Sequence, residues 1–290
     1  MKLGLNVFLW SGQTDEKLFP ILEKIKGWGY DGAEFPLFHA NEDVYRRVRE
    51  KLDELGLGAT GCTVCTAQAN LISDSADVRK AGVEHLSSML RMCKVLGAEI
   101  LCGPVAPPLG QLVGRGRTRE EWNRAVEGLR EVARVAEETG TTVAVEAVNR
   151  FETYFVNTAA DLRALVEEVG HPRIRMMFDT FHANIEEKDI YEALKSCDGL
   201  LAHVHISEND RGIPGTGRVP WREVEKALRE LGYEGWVTIE SFGQAVPEIA
   251  AAAAIWRPLF ASNDEVGEKG VAFLKARFRK RTPAEGRRKR

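Results

Sequence analysis

The sequence predicts an α/β protein built as one single-domain (β/α)8 barrel of the TIM type. Three observations carry that expectation. Short apolar, β-branched runs alternate eight times with longer amphipathic stretches, in units of about 25 to 45 residues. No Pro-, Gly- or Ser-rich linker separates the units. No GxGxxG follows the first apolar run and no GxxxxGK[ST] occurs, so the phosphate-binding fingerprints of an open doubly wound sheet are missing. Consecutive parallel strands need helical crossovers, and eight such units can close on themselves.

The elements follow in order. KLGLNVFLW (2–10) reads as strand one, and DEKLFPILEKIKGWG (15–29) as a helix closed by Gly27 and Gly29. YDGAEFPL gives strand two near 31–36, and DVYRRVREKLDELG (43–56) a helix ended by Gly56. LGATGCTVCT is strand three, and 77–96 is a helix stopped by Gly97. AEILCGPV is strand four. The helix at 118–140 has Thr118 as its cap and Glu121 three residues on, the pattern of a capping box. TTVAVEAVN (141–149), RIRMMFDTFH (173–182), LLAHVHISE (200–208) and GWVTIESFG (235–243) read as strands five to eight. The helices between them fall at 157–170, 189–197 and 220–232, the last with Pro220 near its start. Two further helical stretches cover 247–260 and 263–279.

Composition narrows the function. Hydrophobic residues make up 44% of the chain, enough for a substantial core, and the formal net charge is only -3. That balance excludes a broadly basic nucleic-acid binder. The opening MKLGLNVFLW is too short for a secretory signal, and no apolar run reaches membrane-spanning length. A cytoplasmic protein with no membrane partner is expected, its five cysteines reduced. Cys62 and Cys65 form CTVC, but no second CxxC exists and the pair sits at a strand end, so a structural or pocket-wall role is expected. Residues 275–290 carry nine Lys or Arg against one Glu. The barrel domain is therefore expected to span 1–279, with 280–290 a mobile basic tail.

In such a barrel, chemistry gathers at the C-terminal ends of the strands. Strands five to eight present Glu146, Asp179, His205 and Glu240 there. Each alone would be an ordinary anchoring residue. Four on adjacent strands are different, because converging carboxylates repel one another and a divalent cation removes that cost. Three carboxylates and one imidazole suit Mn, Mg or Co, and the lack of thiolate ligands argues against a structural zinc site. Glu152, His182 and Arg211 lie just beyond the strand ends and suit a neutral polyol or sugar. GIPGTG after Arg211 can bring main chain close to the barrel mouth. His203, two residues before His205, is expected deeper, buttressing the site.

These residues also carry a resemblance. The set of four, at spacings of 33, 26 and 35, occurs with GLNVFLW, GYDGAEFP, VEAVNRFETYFVNT, MMFDTFHANIEE, HISENDRGIPGTG, WVTIESF and IWRPL. Together they resemble the ketose 3-epimerases (D-tagatose, D-allulose or D-psicose, and L-ribulose types) of the xylose-isomerase-like barrel superfamily, over nearly the whole chain. The resemblance implies Glu146, Asp179, His205 and Glu240 as metal ligands and Glu152, His182 and Arg211 as substrate contacts. It implies Mn2+, with Co2+ or Mg2+ as substitutes, no organic cofactor, a small ketose substrate, and a homodimer or homotetramer. Glu146 and Glu240 would flank C3 of the sugar and move its proton through a metal-stabilised cis-enediolate, so that C3 inverts. Asn6, Phe8, Trp122 and Phe242 are candidates for shaping the pocket. Cys65 and the CGPVAPPLG loop are candidates for setting substrate preference. An aldose–ketose or hydroxypyruvate isomerase of the same superfamily and a non-catalytic sugar-binding barrel are the alternative readings.

Overall fold

A computed structural model describes residues 1–279. Eight strands form a closed barrel in sequence order. They are β1 (Lys2–Asn6), β2 (Gly32–Pro36), β3 (Gly58–Cys62), β4 (Ala98–Gly103), β5 (Thr142–Glu146), β6 (Ile174–Asp179), β7 (Leu201–Ile206) and β8 (Trp236–Ile239). Each pairs in parallel with the next, and β8 closes onto β1 through Leu3↔Val237 and Leu5↔Ile239. The helices that return the chain between strands are α1 (Phe19–Trp28), α2 (Glu42–Leu55), α3 (Ala76–Leu96), α4 (Arg119–Thr139), α5 (Ala159–Val169), α6 (Thr180–Glu186), α7 (Ile190–Lys195) and α8 (Trp221–Glu230). After β8 come α9 (Pro247–Ala252) and α10 (Asn263–Phe278). The capping box expected at Thr118 is formed with Glu121. The basic tail expected at 280–290 lies outside the described residues. None of the helices among the described residues is long and apolar enough to cross a membrane.

Several boundaries differ from expectation, each for a local reason. The first strand stops at Asn6, whose side-chain oxygen accepts the Phe8 N–H at 2.8 Å and starts a short 3-10 turn over Val7–Leu9. Gly27 lies inside α1, and Gly29 alone ends it, at φ +92. Strand six stops at Asp179, because that carboxylate takes the Phe181 N–H at 2.6 Å and caps α6. His182 therefore stands on a helix, not a strand. The helix expected over 247–260 is only Pro247–Ala252, and the chain leaves it through Ala254 in the left-handed region at φ 55.

Period-2 alternation sorts the strand side chains into two cores. Val143, Val145, Met176, Phe178, Val204, Ile206, Val237 and Ile239 join the main core, which also takes in the buried faces of the helices. Ile100, Cys102, Ala144, Met177 and Trp236 belong to a second, smaller core. Glu146, Asp179, His205 and Glu240 keep the parity of this second set. The same alternation that builds the core thus aims them together.

Trp236 plugs the base of the barrel. Its indole occupies the space a side chain would need on β2 and β3: a Cβ on Gly32 would lie 2.5 Å from the ring and 2.4 Å from the Gly58 carbonyl oxygen. Gly32→Ala is expected to destabilise the protein by about 2 kcal/mol through overpacking. Chemical denaturation measures this, and an unchanged midpoint would contradict the packing described.

Candidate active site

The barrel mouth holds all seven of the residues singled out above. Glu146 and Asp179 end β5 and β6, His205 is the penultimate residue of β7, and Glu240 directly follows β8. Asp179 Oδ2 accepts from the Ser207 hydroxyl at 3.2 Å and from Arg211 Nη1 at 3.1 Å. It lies 3.6 Å from His205 Nδ1. Glu240 Oε2 accepts from the same Arg211 nitrogen at 2.6 Å, and its Oε1 lies 3.4 Å from His205 Nδ1. Glu146 Oε1 is 3.5 Å from His182 Nε2. Among the described residues, potential ligand atoms fall into three overlapping sets, Asp179–His205–Glu240, Glu146–Asp179–His182 and, deeper, Glu34–Cys102–His203–His205, each within 4.8 Å. The four expected ligands are thus split around Asp179, and His182, expected as a substrate contact, also stands within ligand range.

Burial makes the electrostatics strong. Burial and the neighbouring Asp179 and Glu240 charges push the Glu146 carboxyl well above the usual carboxylate range. Burial would do the same to Asp179, but the Arg211 and His205 charges outweigh it and hold that carboxyl low. Burial would lower His205, but Glu34 and Glu240 raise it well above the ordinary imidazole value. Burial, with the Arg211 charge, brings His182 down to about 3, so its ring is neutral.

The Asn149 main-chain N–H donates to His182 Nδ1 at 3.1 Å, and the Asn149 side-chain amide lies 2.9 Å from the same atom. A neutral ring that accepts at Nδ1 carries its proton on Nε2. That same Asn149 amide donates to Glu152 Oε1 at 2.7 Å, so one residue orients both.

Arg211 sits at φ 64, a left-handed conformation costly for any side chain but glycine. Its guanidinium stacks on the Phe181 ring at 3.9 Å and the Phe242 ring at 5.0 Å. The loop that carries it is built around Glu208. That carboxylate accepts the main-chain N–H groups of Gly215 at 2.7 Å and Val219 at 3.1 Å, and the Trp221 indole N–H at 3.0 Å. A Cβ on Gly217 would lie 2.6 Å from Glu208 Oε1, so the glycine is needed for close approach. The Gly-rich run after β7 serves to wrap main chain onto Glu208.

A cavity of about 340 Å³ opens over this cluster. Glu146, Glu152, His182, Arg211 and Glu240 form its polar wall, and Phe8, Phe38, Val64, Leu109, Phe242 and Ile249 its apolar wall. Phe8 and Phe242 line it as expected. Asn6 lies beneath, hydrogen-bonded to Glu34 at 2.9 Å. Trp122 does not line it; its indole N–H donates to Glu168 at 2.7 Å and its ring packs on Phe155. Cys62, not Cys65, reaches the cavity, while the loop after β4 contributes Pro104 and Leu109. His203 is fully buried, as a buttress should be.

Glu34 escaped the sequence reading. It is a fully buried carboxylate on β2, with Oε1 2.6 Å from His205 Nε2 and Oε2 2.8 Å from His203 Nε2. Burial pushes its carboxyl up, but the His205 and His203 charges hold it well below the usual range. A lone acid within a strand otherwise small and apolar, GAEFP, was the available signal.

The xylose isomerase-like TIM barrel family model matches residues 22–275. The chain is 32% identical over 278 residues to the ketose 3-epimerase of Arthrobacter globiformis, covering 95% of this chain and 96% of that one. It is 32% identical over 285 residues to the D-psicose 3-epimerase of Agrobacterium fabrum, covering 94% and 98%. A solved L-ribulose 3-epimerase structure superposes with a TM-score of 0.90 at 31% identity, covering 95% of this chain and 93% of the other.

Proposed function

The chain belongs to the xylose isomerase-like TIM barrel family, among its ketose 3-epimerases, and on that premise we propose that it epimerises free ketoses at C3 with a divalent cation. One observation carries the reading. Glu146 and Glu240 come from non-adjacent strands, yet both open onto the same cavity beside a converging set of acids and imidazoles.

The donor set fits a cation. His205 Nδ1 is buried without a hydrogen-bond partner, and it faces the Asp179 and Glu240 carboxylates. Glu146, Asp179, His205 and Glu240 would hold the ion, with Mn2+, Co2+ or Mg2+ matching these ligand types. When bound, it supplies stabilisation of the negative charge that develops on the sugar oxygens.

The chain's own residues do the rest. A ketose carbonyl at C2 makes the C3 hydrogen acidic. One of Glu146 and Glu240 takes that proton, and the other returns one to the opposite face of the enediolate. Microscopic reversibility exchanges their roles with direction. His182 Nε2–H and Arg211 Nη2 face each other at 3.0 Å. Two N–H groups cannot bond to each other, but an oxygen lying beside the pair, on the cavity side, accepts from both. That pair is suited to a sugar oxygen, and Glu152 to an adjacent hydroxyl. The apolar wall excludes water from the carbanionic centre.

D-Fructose, D-tagatose, D-psicose and L-ribulose should each be tested with Mn2+-loaded protein in deuterated water. At least one is expected to yield its C3 epimer with deuterium at C3, read by NMR. Label confined to C1 would show aldose–ketose isomerisation instead, and saturable binding without label would show a non-catalytic barrel.

A further inference from the structure

We propose that Glu34 is a positioning residue that decides which nitrogen of His205 faces the cation site; the inference rests on the metal-dependent reading above. The carboxylate lies on the far side of the His205 ring from Asp179 and Glu240, and five groups converge on it. Its Oε1 accepts from Asn6 Nδ2 at 2.9 Å and lies 2.6 Å from His205 Nε2. Its Oε2 accepts from the Thr60 hydroxyl at 2.9 Å and the Cys102 thiol at 3.3 Å, and lies 2.8 Å from His203 Nε2. The Asn6 amide cannot be turned round, because its oxygen already accepts the Phe8 N–H at 2.8 Å. Glu34 thus stands as the shared acceptor of a buried set of donors.

Both Glu34 oxygens already serve as acceptors, for Asn6 on one side and for Thr60 and Cys102 on the other, so His205 meets an acceptor and presents an N–H at Nε2. In the neutral ring, Nδ1 is then the bare nitrogen, and it points at Asp179 and Glu240. A cation ligand needs that lone pair. The neutral imidazole could otherwise place its proton on either nitrogen. Glu34 removes that choice from β2, across the barrel from Asp179 on β6.

Glu34→Gln tests this. The amide keeps the volume but offers one acceptor oxygen and one N–H2 group to two imidazoles. Where the N–H2 faces His205, the ring proton moves to Nδ1 and blocks the cation. Co2+ and Mn2+ titrations of the full chain are expected to show 10- to 100-fold weaker binding, roughly the size of other losses behind a metal ligand, and an altered Co2+ absorption band. His203→Asn perturbs the same buried cluster but leaves the Glu34–His205 contact, so its affinity is expected to stay near wild type. Wild-type affinity and an unchanged band in Glu34→Gln would overturn the inference. So would affinity lost in both variants in proportion to their melting temperatures, which marks a structural role alone. Wild-type protein that binds neither ion would sink the metal-dependent reading itself. A second readout needs no variant: 15N-histidine spectra of Zn2+-loaded wild type should show His205 protonated at Nε2, and a proton on Nδ1 would overturn the proposal.

Discussion

Glu240→Gln is expected to reduce C3 epimerisation by a factor on the order of 10²–10⁴, the range set by loss of a general acid–base group. The amide keeps the size of the side chain but cannot take up or return a proton at this pH. It also loses the charge that pairs with Arg211 Nη1 at 2.6 Å and faces His205 Nδ1 at 3.4 Å. Part of the loss will therefore be weaker cation binding, and the measurement belongs at saturating Mn2+. Isotope exchange separates the two effects. With Glu240 disabled, Glu146 still reaches C3 from its own face. The epimer whose C3 hydrogen faces Glu146 should go on exchanging with deuterated water without inverting, while the other epimer is inert. Full epimerisation by this variant at saturating cation would remove Glu240 from the proton-transfer role.

Treatment with a chelator is expected to abolish turnover, and restoring Mn2+, Co2+ or Mg2+ to recover it. The affinity for the ion should depend on pH in a definite sense. In the cation-free protein, burial and the Asp179 and Glu240 charges keep Glu146 protonated above the usual carboxylate range. Glu34 and Glu240 overcome burial to keep His205 protonated above the usual imidazole range. A cation needs the Glu146 carboxylate and the bare His205 Nδ1, so binding must expel protons. Affinity rises with pH and falls in acid, by about tenfold per pH unit for each proton released. Calorimetry in buffers of different ionisation enthalpy reads both quantities. Binding that is insensitive to pH and releases no protons would exclude these groups as the ligands.

Much of the fold was legible because it rests on local rules. Eight alternations of strand and helix, with caps such as Thr118 and stops such as Gly56 and Gly97, need only neighbours in the chain to be recognised. Strand parity then brought Glu146, Asp179, His205 and Glu240 to one face. Two of the boundaries that differ, those of β1 and β6, share one cause. Asn6 and Asp179 end their strands through their own side chains, which capture main-chain N–H groups two residues on. Apolar patterning does not register such a contact, so His182 was read on a strand although it stands on α6.

The sequence by itself determined the barrel, the strand-end acids and the loop residues that crown them, because periodicity and position along a strand are properties of the chain. Tertiary structure alone decided which groups meet across the barrel. Trp122 turns to Glu168 and leaves the cavity, while Glu34 reaches His205, 171 positions away. Distances of that kind are set by how the strands tilt and close, and no local pattern encodes them.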